Sequence, residues 1–163
     1  MAGRRLGSHQ GRELRGQGPL IAVDTNLLVY SHRRDSPFHE QALGCVTSLA
    51  EGSSEWAIPW PCLSEFHAIV THPRIYSPPT APAAAVDQID AWLESPTLTL
   101  LSESAGHWSV LRVMLRKGRV TGPLAHDARI AALCMSQGVK QLWSADRDFS
   151  RFVGLVVRNP LIA

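Results

Sequence analysis

A chain of 163 residues that is 45% apolar supports one hydrophobic core and is too short for two ordinary domains. Its net charge of +2 is unevenly placed: the first 19 residues hold Arg4, Arg5, Arg12 and Arg15 against Glu13, a surplus of three, so residues 20–163 carry about −1. A mildly acidic body excludes nucleic-acid binding by bulk charge alone. The three cysteines, Cys45, Cys62 and Cys134, are odd in number, far apart and set among apolar residues, which predicts buried free thiols rather than a disulfide frame. No run approaches the ~18 apolar residues of a membrane span, and the arginine-bearing N-terminus lacks the apolar stretch of a signal peptide. A soluble cytoplasmic protein is expected.

Residues 1–19, rich in Gly, Arg and Gln, bury too little to order themselves and read as a disordered basic tail, either an artefact of an upstream start or an arm that touches RNA. Leu20-Ile21-Ala22-Val23 has the form of a short buried parallel strand, followed at once by Asp24-Thr25-Asn26 and a short helix. Ser36-Pro37 marks a helix start, with Phe38, Ala42, Cys45 and Leu49 as its apolar face to about residue 51. A second strand spans 56–59. Pro61 then opens a helix whose stripe is Cys62, Phe66 and Ile69, with Glu65 interleaved, a costly placement for a carboxylate unless it is paired, ligated or at the edge of the face.

Prolines at 73, 78 and 79 enforce a loop, and Pro82 starts a helix with Val86, Ile89 and Leu93 inward and Asp87, Asp90 and Glu94 outward. A third strand at 97–101 leads into a helix over 104–117, with Trp108, Leu111 and Leu115 inward and the basic row Arg112, Arg116, Arg119 outward. Pro123 opens an alanine-rich helix that Gly138 closes; Asp127 stands in its first turns. A fourth strand at 141–144 runs into Asp146-Arg147-Asp148, and a last strand covers 155–157. Regular alternation of strands and helices predicts an α/β fold: a central parallel sheet of four to five strands with helices on both faces, spanning residues 20–163.

Asp24 and Asp146 thus follow buried strands, where ligands of open α/β sheets bind, and Glu65 and Asp127 lie on helices that can lean over the same crevice. Carboxylates gathered without Lys or His between them repel one another unless a cation intervenes. Oxygen-only donors select a hard ion such as Mg²⁺ or Mn²⁺, which can activate water and neutralise charge on a phosphodiester. Other aspartate-bearing or nucleotide-binding α/β classes fit less well. A haloacid-dehalogenase-type phosphatase needs a second aspartate where Asn26 stands, a receiver domain needs paired acids and a late lysine, and dinucleotide binding needs a Gly-rich turn in place of Asp-Thr-Asn.

From Leu20 onward the chain resembles a PIN domain, specifically the VapC toxins of bacterial VapBC pairs. The resemblance rests on Val23-Asp24-Thr25-Asn26-Leu27-Leu28-Val29-Tyr30, Leu63-Ser64-Glu65-Phe66 with Thr71-His72-Pro73-Arg74, His107-Trp108, His126-Asp127-Ala128 with Ile130-Ala131-Ala132, and Ser144-Ala145-Asp146-Arg147-Asp148-Phe149 with Arg151-Phe152. The closing Asn159-Pro160-Leu161 fits the branch common in mycobacteria. The resemblance implies a three-layer fold and an endoribonuclease whose Asp24, Glu65, Asp127 and Asp146 hold Mg²⁺ or Mn²⁺, hydrolysing RNA through a metal-activated water to leave a 5′-phosphate and a 3′-hydroxyl.

Around these acids, Asn26 and Thr25 are expected to support Asp24, and Ser144 to supply a hydroxyl where the family usually has threonine. Asp148 either assists the metal or caps the turn at 149–152. Arg33, Arg34, Arg129 and Arg147 are candidate RNA contacts, and His126 reads as structural. Thr121-Gly122-Pro123-Leu124 departs from the usual Gly-Asn lead-in, which alters the helix cap and not the ligand. The implied partners are a VapB-like antitoxin in an apolar groove walled by the helices at 37–50 and 61–71, a second copy of the chain, and an RNA substrate that is tRNA, rRNA or mRNA. A catalytically silent PIN-like binding module and an RNA-processing nuclease without an antitoxin stay open as alternatives.

Overall fold

The computed structural model describes residues 18–162, so the tail expected at 1–19 lies, but for its last two residues, outside the described residues. The elements run β1 (Ile21–Val23), α1 (Thr25–His32), α2 (His39–Glu51), β2 (Trp56–Pro59), α3 (Trp60–Val70), α4 (Pro82–Leu93), β3 (Leu98–Leu101), α5 (His107–Lys117), α6 (Leu124–Ser136), β4 (Gln141–Trp143), a 3₁₀ turn at Arg147–Arg151 and β5 (Val157–Arg158). All pairings are parallel, in the order β3-β2-β1-β4-β5. The chain first steps from β1 outward through β2 to β3, then returns to the other side of β1 for β4 and β5. That reversal opens a crevice beyond the carboxyl ends of β1 and β4.

Successive strand residues point to opposite faces of a sheet. Ala22 and Val23, and Trp56, Ala57 and Ile58, are all fully buried, so helices cover both faces of the inner strands. α1 packs against α2 and α3, and α3 against α4; α5 packs against α6. Pro61 in the first turn of α3 and Pro82 in that of α4 need no amide donor there, and Gly138 takes the left-handed conformation (φ 75°) just past α6. α6 starts without a side-chain cap after the Thr121-Gly122-Pro123 lead-in. Among the described residues no helix is long and apolar enough to cross a membrane. Cys62 and Cys134 are buried free thiols and Cys45 is half-buried.

The inward faces of several helices are rotated by about one residue from those the apolar spacing predicts. In α2 the buried residues are Ala42 and Val46, while Phe38 is exposed. In α3 Val70, not Ile69, completes the stripe with Cys62, Leu63 and Phe66. In α4 Val86 and Leu93 are exposed, and Ala85 and Trp92 face the core because the Trp92 indole meets the Phe66 ring edge-on, 4.8 Å between centroids. In α5 Trp108 is 61% exposed, and His107 and Met114 are buried instead. β5 is two residues long at 157–158 rather than three at 155–157.

Candidate metal centre

Asp24 leaves the end of β1 with its amide donating to the carbonyl of Trp143 in β4 (3.0 Å), which prolongs the sheet pairing and turns the side chain toward β4. It makes no side-chain cap for α1. Its Oδ2 instead accepts from the Ser144 hydroxyl (2.7 Å) and the Asn26 amide (3.2 Å), and its Oδ1 faces the buried thiol of Cys62 at 3.7 Å. Asn26 Nδ2 also reaches Ser144 Oγ (3.2 Å) and its Oδ1 accepts from the Ala145 amide (3.1 Å), while Ser144 Oγ accepts from the Asp146 amide (3.0 Å). One network thus locks the exits of β1 and β4 together. Such outer partners set the orientation of ligating carboxylates.

Glu65 is exposed on α3 at the crevice wall, and the buried Thr25 hydroxyl donates to its Oε2 (3.0 Å). Asp127 lies in the first turn of α6, half-buried. Asp146 caps the 3₁₀ turn, its Oδ1 accepting from the Asp148 amide (2.8 Å); the cap expected from Asp148 comes from Asp146. Carboxylate oxygens of Asp127, Asp146 and Asp148 all lie within 4.8 Å of one another. The three closest acids therefore include Asp148, assigned by sequence to a supporting role, with Asp24 behind them and Glu65 on the α3 side.

Burial pushes the Asp24 carboxyl up to about 6, against the Ser144 hydrogen bond, with the charges of Glu65 and Asp127 adding to the rise. Burial likewise pushes Asp127 to about 6, aided by Asp146, Glu65 and Asp148. Among the described residues no Lys or Arg is ion-paired with any of these acids; the ion pairs present are Arg33–Asp35 and Arg129–Glu103. A set of hard oxygen donors, close together and uncompensated, fits a divalent cation of the Mg²⁺ type.

The candidate RNA-contacting arginines differ in what holds them. Arg33 is bidentate to Asp35 (2.9 and 2.6 Å), donates to the Pro78 carbonyl and Thr80 hydroxyl, and lies 4.1 Å over the Tyr76 ring. Arg34 is exposed beside it, in a small recess separate from the acids. Arg129 lines the large acidic cleft and is paired with Glu103, a contact sequence spacing does not reveal. Arg147 is exposed beside Asp146.

The cleft in front of Glu65, Asp127 and Asp148 has a volume of about 990 Å³. Its apolar walls are Trp60, Pro61 and Ala68 from α3 and Leu124 and Ile130 from α6. This cleft has α3 as one wall and α6 as the other; it is a different place from the groove expected between the helices at 37–50 and 61–71, where Phe38 and Leu43 are exposed.

The PIN domain family profile matches residues 21–155. Ribonuclease VapC48 of Mycobacterium tuberculosis is 34% identical over 137 residues, covering 84% of this chain and 94% of that protein. Ribonuclease VapC43 of the same organism is 34% identical over 142 residues, covering 87% and 96%. Among solved structures, VapBC2 from Rickettsia felis bound to a promoter DNA fragment aligns with a TM-score of 0.61 at 19% identity, covering 85% of this chain and 97% of that one. M. tuberculosis VapC20, a toxin that cleaves the sarcin–ricin loop, aligns with a TM-score of 0.61 at 18% identity, covering 83% and 96%; at these identities the likeness is one of fold.

Proposed function

The chain belongs to the PIN domain family, with VapC ribonucleases as its relatives, and we propose that it is a metal-dependent endoribonuclease, the toxin of a type II toxin–antitoxin pair. The observation that carries the metal dependence is the convergence of Asp24, Glu65, Asp127, Asp146 and Asp148 at the crevice between β1 and β4 with no cation paired to them among the described residues. Asp127, Asp146 and Asp148 would hold Mg²⁺ or Mn²⁺ from the cleft, with Asp24 behind and Glu65 beside them. The ion, when bound, supplies the positive charge that an attacking water and a phosphodiester both need.

The remaining roles fall to the chain's own groups. Ser144 and Asn26 aim Asp24 by donating to one of its oxygens, and the Ser144 bond opposes the rise that burial imposes on its carboxyl. Thr25 holds Glu65 at the wall. Asp146 is fixed in rotamer by its bond to the Asp148 amide, which leaves its second oxygen for the ion. Phosphates of the approaching RNA meet Arg129, which lines the large cleft, and Arg147, which stands beside Asp146.

The partner is a VapB-type antitoxin. The apolar cleft between α3 and α6, opening on the acids, suits an antitoxin segment that lays apolar side chains on Trp60 and Leu124 and brings a basic residue to Asp127. Exposed Trp108 and Val113 on α5 support a second copy of the chain as a further partner.

The test is incubation of total RNA with purified protein and Mg²⁺ or Mn²⁺, with EDTA and Asp24→Asn as controls, and mapping of new 5′ ends by sequencing. Discrete metal-dependent cuts that vanish in the variant support the reading. Absence of cutting in antitoxin-free protein, or cutting equal in the variant, would overturn it in favour of a binding module.

A further inference from the structure

The acidic centre borders two clefts. Beyond the ends of β4 and β5, a second cleft of about 490 Å³ is lined by Asp146, Arg147, Ser150 and Asn159 together with the apolar Val157 and Ile162. That volume falls within the range of roughly 300–1,000 Å³ typical of small-ligand sites. The lining combines a guanidinium that can pair with a phosphate or stack on a base, side chains that can hydrogen-bond a base edge, and apolar surface.

Two details distinguish this cleft from a chance hollow. Of the arginines bordering the two clefts, Arg129 is tied to Glu103, whereas Arg147 has no carboxylate partner among the described residues. Asn159 Oδ1 accepts from the Leu161 amide (3.0 Å), an Asx turn that holds the carboxamide in place. Its Nδ2 has no protein partner among the described residues, and a primary amide held by its oxygen offers both its N–H donors to a base edge. The Asn159-Pro160-Leu161 ending, which the acidic centre does not use, thereby acquires a role.

We infer that this second cleft is the subsite for the nucleotide next to the scissile bond, with Arg147 gripping its phosphate and Asn159 selecting its base. The inference rests on the ribonuclease reading for the identity of its ligand. An RNA strand crossing from the large cleft to the small one carries its backbone over Asp146, which both the acid cluster and the small cleft share.

The experiment uses Arg147→Ala, Asn159→Ala and Asn159→Ser, the serine retaining a side-chain oxygen for the Leu161 turn while lacking the amide donors. Binding of a random-sequence single-stranded RNA oligonucleotide pool is followed against salt in the Asp24→Asn background, where the strand is not cut. Cleavage sites in total RNA are mapped with otherwise wild-type protein. Arg147→Ala is expected to bind about tenfold more weakly at low salt and to flatten the log–log salt slope by about 0.7, the contribution of one phosphate contact on a single strand. Both Asn159 variants are expected to lose base preference at one position beside the cut, with melting temperature kept in the serine variant.

A wild-type salt slope in Arg147→Ala, or a wild-type cleavage profile in both Asn159 variants, overturns the inference. So does loss of antitoxin binding in Arg147→Ala with RNA binding intact, which reassigns the cleft to the protein partner. If the parent protein cuts no RNA at all, the ribonuclease reading fails separately, and the salt slope still decides whether Arg147 grips a backbone.

Discussion

The hydroxyl of Ser144 donates to Asp24 at 2.7 Å across the β1–β4 junction while accepting from the amide of Asp146 at 3.0 Å. One small side chain therefore sets both the ionisation of a buried acid and the position of the loop that carries another. Ser144→Ala removes the donor that favours the charged form of Asp24, so its carboxyl rises further and its hold on a cation weakens. Loss of such an outer-shell partner lowers metal affinity by about 10–100-fold. We expect that drop in Mn²⁺ titrations followed by calorimetry, with Ser144→Thr restoring binding; equal affinity in the alanine variant would remove Ser144 from the centre.

Stability without metal should fall as pH rises. Asp24, at about 6 in the folded chain against 3.8 as an ordinary carboxyl, binds a proton more tightly when folded than when unfolded. Its protonated form thus contributes stability that is fully present below about pH 4 and lost as pH rises through about 6, about 3 kcal/mol for a displacement of this size. Asp127 acts in the same direction, reduced by its solvent exposure. Melting in EDTA should therefore drop between pH 4 and pH 6.5, and added Mg²⁺ should recover most of the loss near neutrality. A melting temperature in EDTA that rises over that interval would contradict the burial of Asp24.

Asp24→Asn follows from the same strain. The amide removes the buried charge while keeping the shape, and the Ser144 hydroxyl can rotate to meet it. We expect the variant to be more stable than the parent in EDTA at neutral pH, by about 1–2 kcal/mol, while losing cleavage, the trade-off of a site held in a destabilised state for its chemistry. Urea denaturation of both proteins checks it, and a variant less stable than the parent would mean that the carboxylate is compensated within the chain.

How much of this could be read from the linear chain depends on what each feature needs. β1, β2 and the Pro-initiated α3 follow from local chemistry, with bounds that agree with expectation to within a residue, and α4 starts at Pro82 as expected. Asp24, Asp146 and Glu65 stand out in the sequence because the first two follow strands and the third interrupts an apolar face, and Asp127 because it stands in the first turns of the helix that Pro123 opens. The inward sides of α2, α4 and α5 are not, because partly apolar helices offer two adjacent stripes and tertiary contacts choose between them. In α4 the choice is made by Phe66, a residue of another helix that draws Trp92 inward. Asp148 joins the cluster because a tight 3₁₀ turn folds it back beside Asp146, and Glu103 meets Arg129 across 26 residues of chain; neither has a periodic signal.

Phe66 offers a control for stability alone. Fully buried, it lies between the His32 ring at 5.3 Å and the Trp92 ring at 4.8 Å. Phe66→Ala is expected to destabilise by about 3–5 kcal/mol through lost burial and a cavity. Phe66→Leu should lose less, with the Mn²⁺ affinity of its folded fraction equal to that of the parent. Altered affinity in the leucine variant would show that α3 transmits packing changes to Glu65.

Asp146 and Asp148 are adjacent in the cluster but differ in what else they do, and substitution should separate the two jobs. Asp146 holds the 3₁₀ turn through its Oδ1, so Asp146→Ala loses a cap of about 1 kcal/mol together with a candidate ligand. Asp146→Asn keeps an oxygen for the Asp148 amide, so its melting temperature should match the parent's while its Mn²⁺ affinity falls. Asp148 is exposed and caps nothing, so Asp148→Asn and Asp148→Ala should both leave stability in EDTA unchanged and weaken Mn²⁺ binding alike. Calorimetric titration beside thermal melts reads both quantities on the same samples. Should Asp148→Ala bind Mn²⁺ as tightly as the parent, the ion is held by Asp24, Asp127 and Asp146 from the inner side of the crevice, and Asp148 contributes only field.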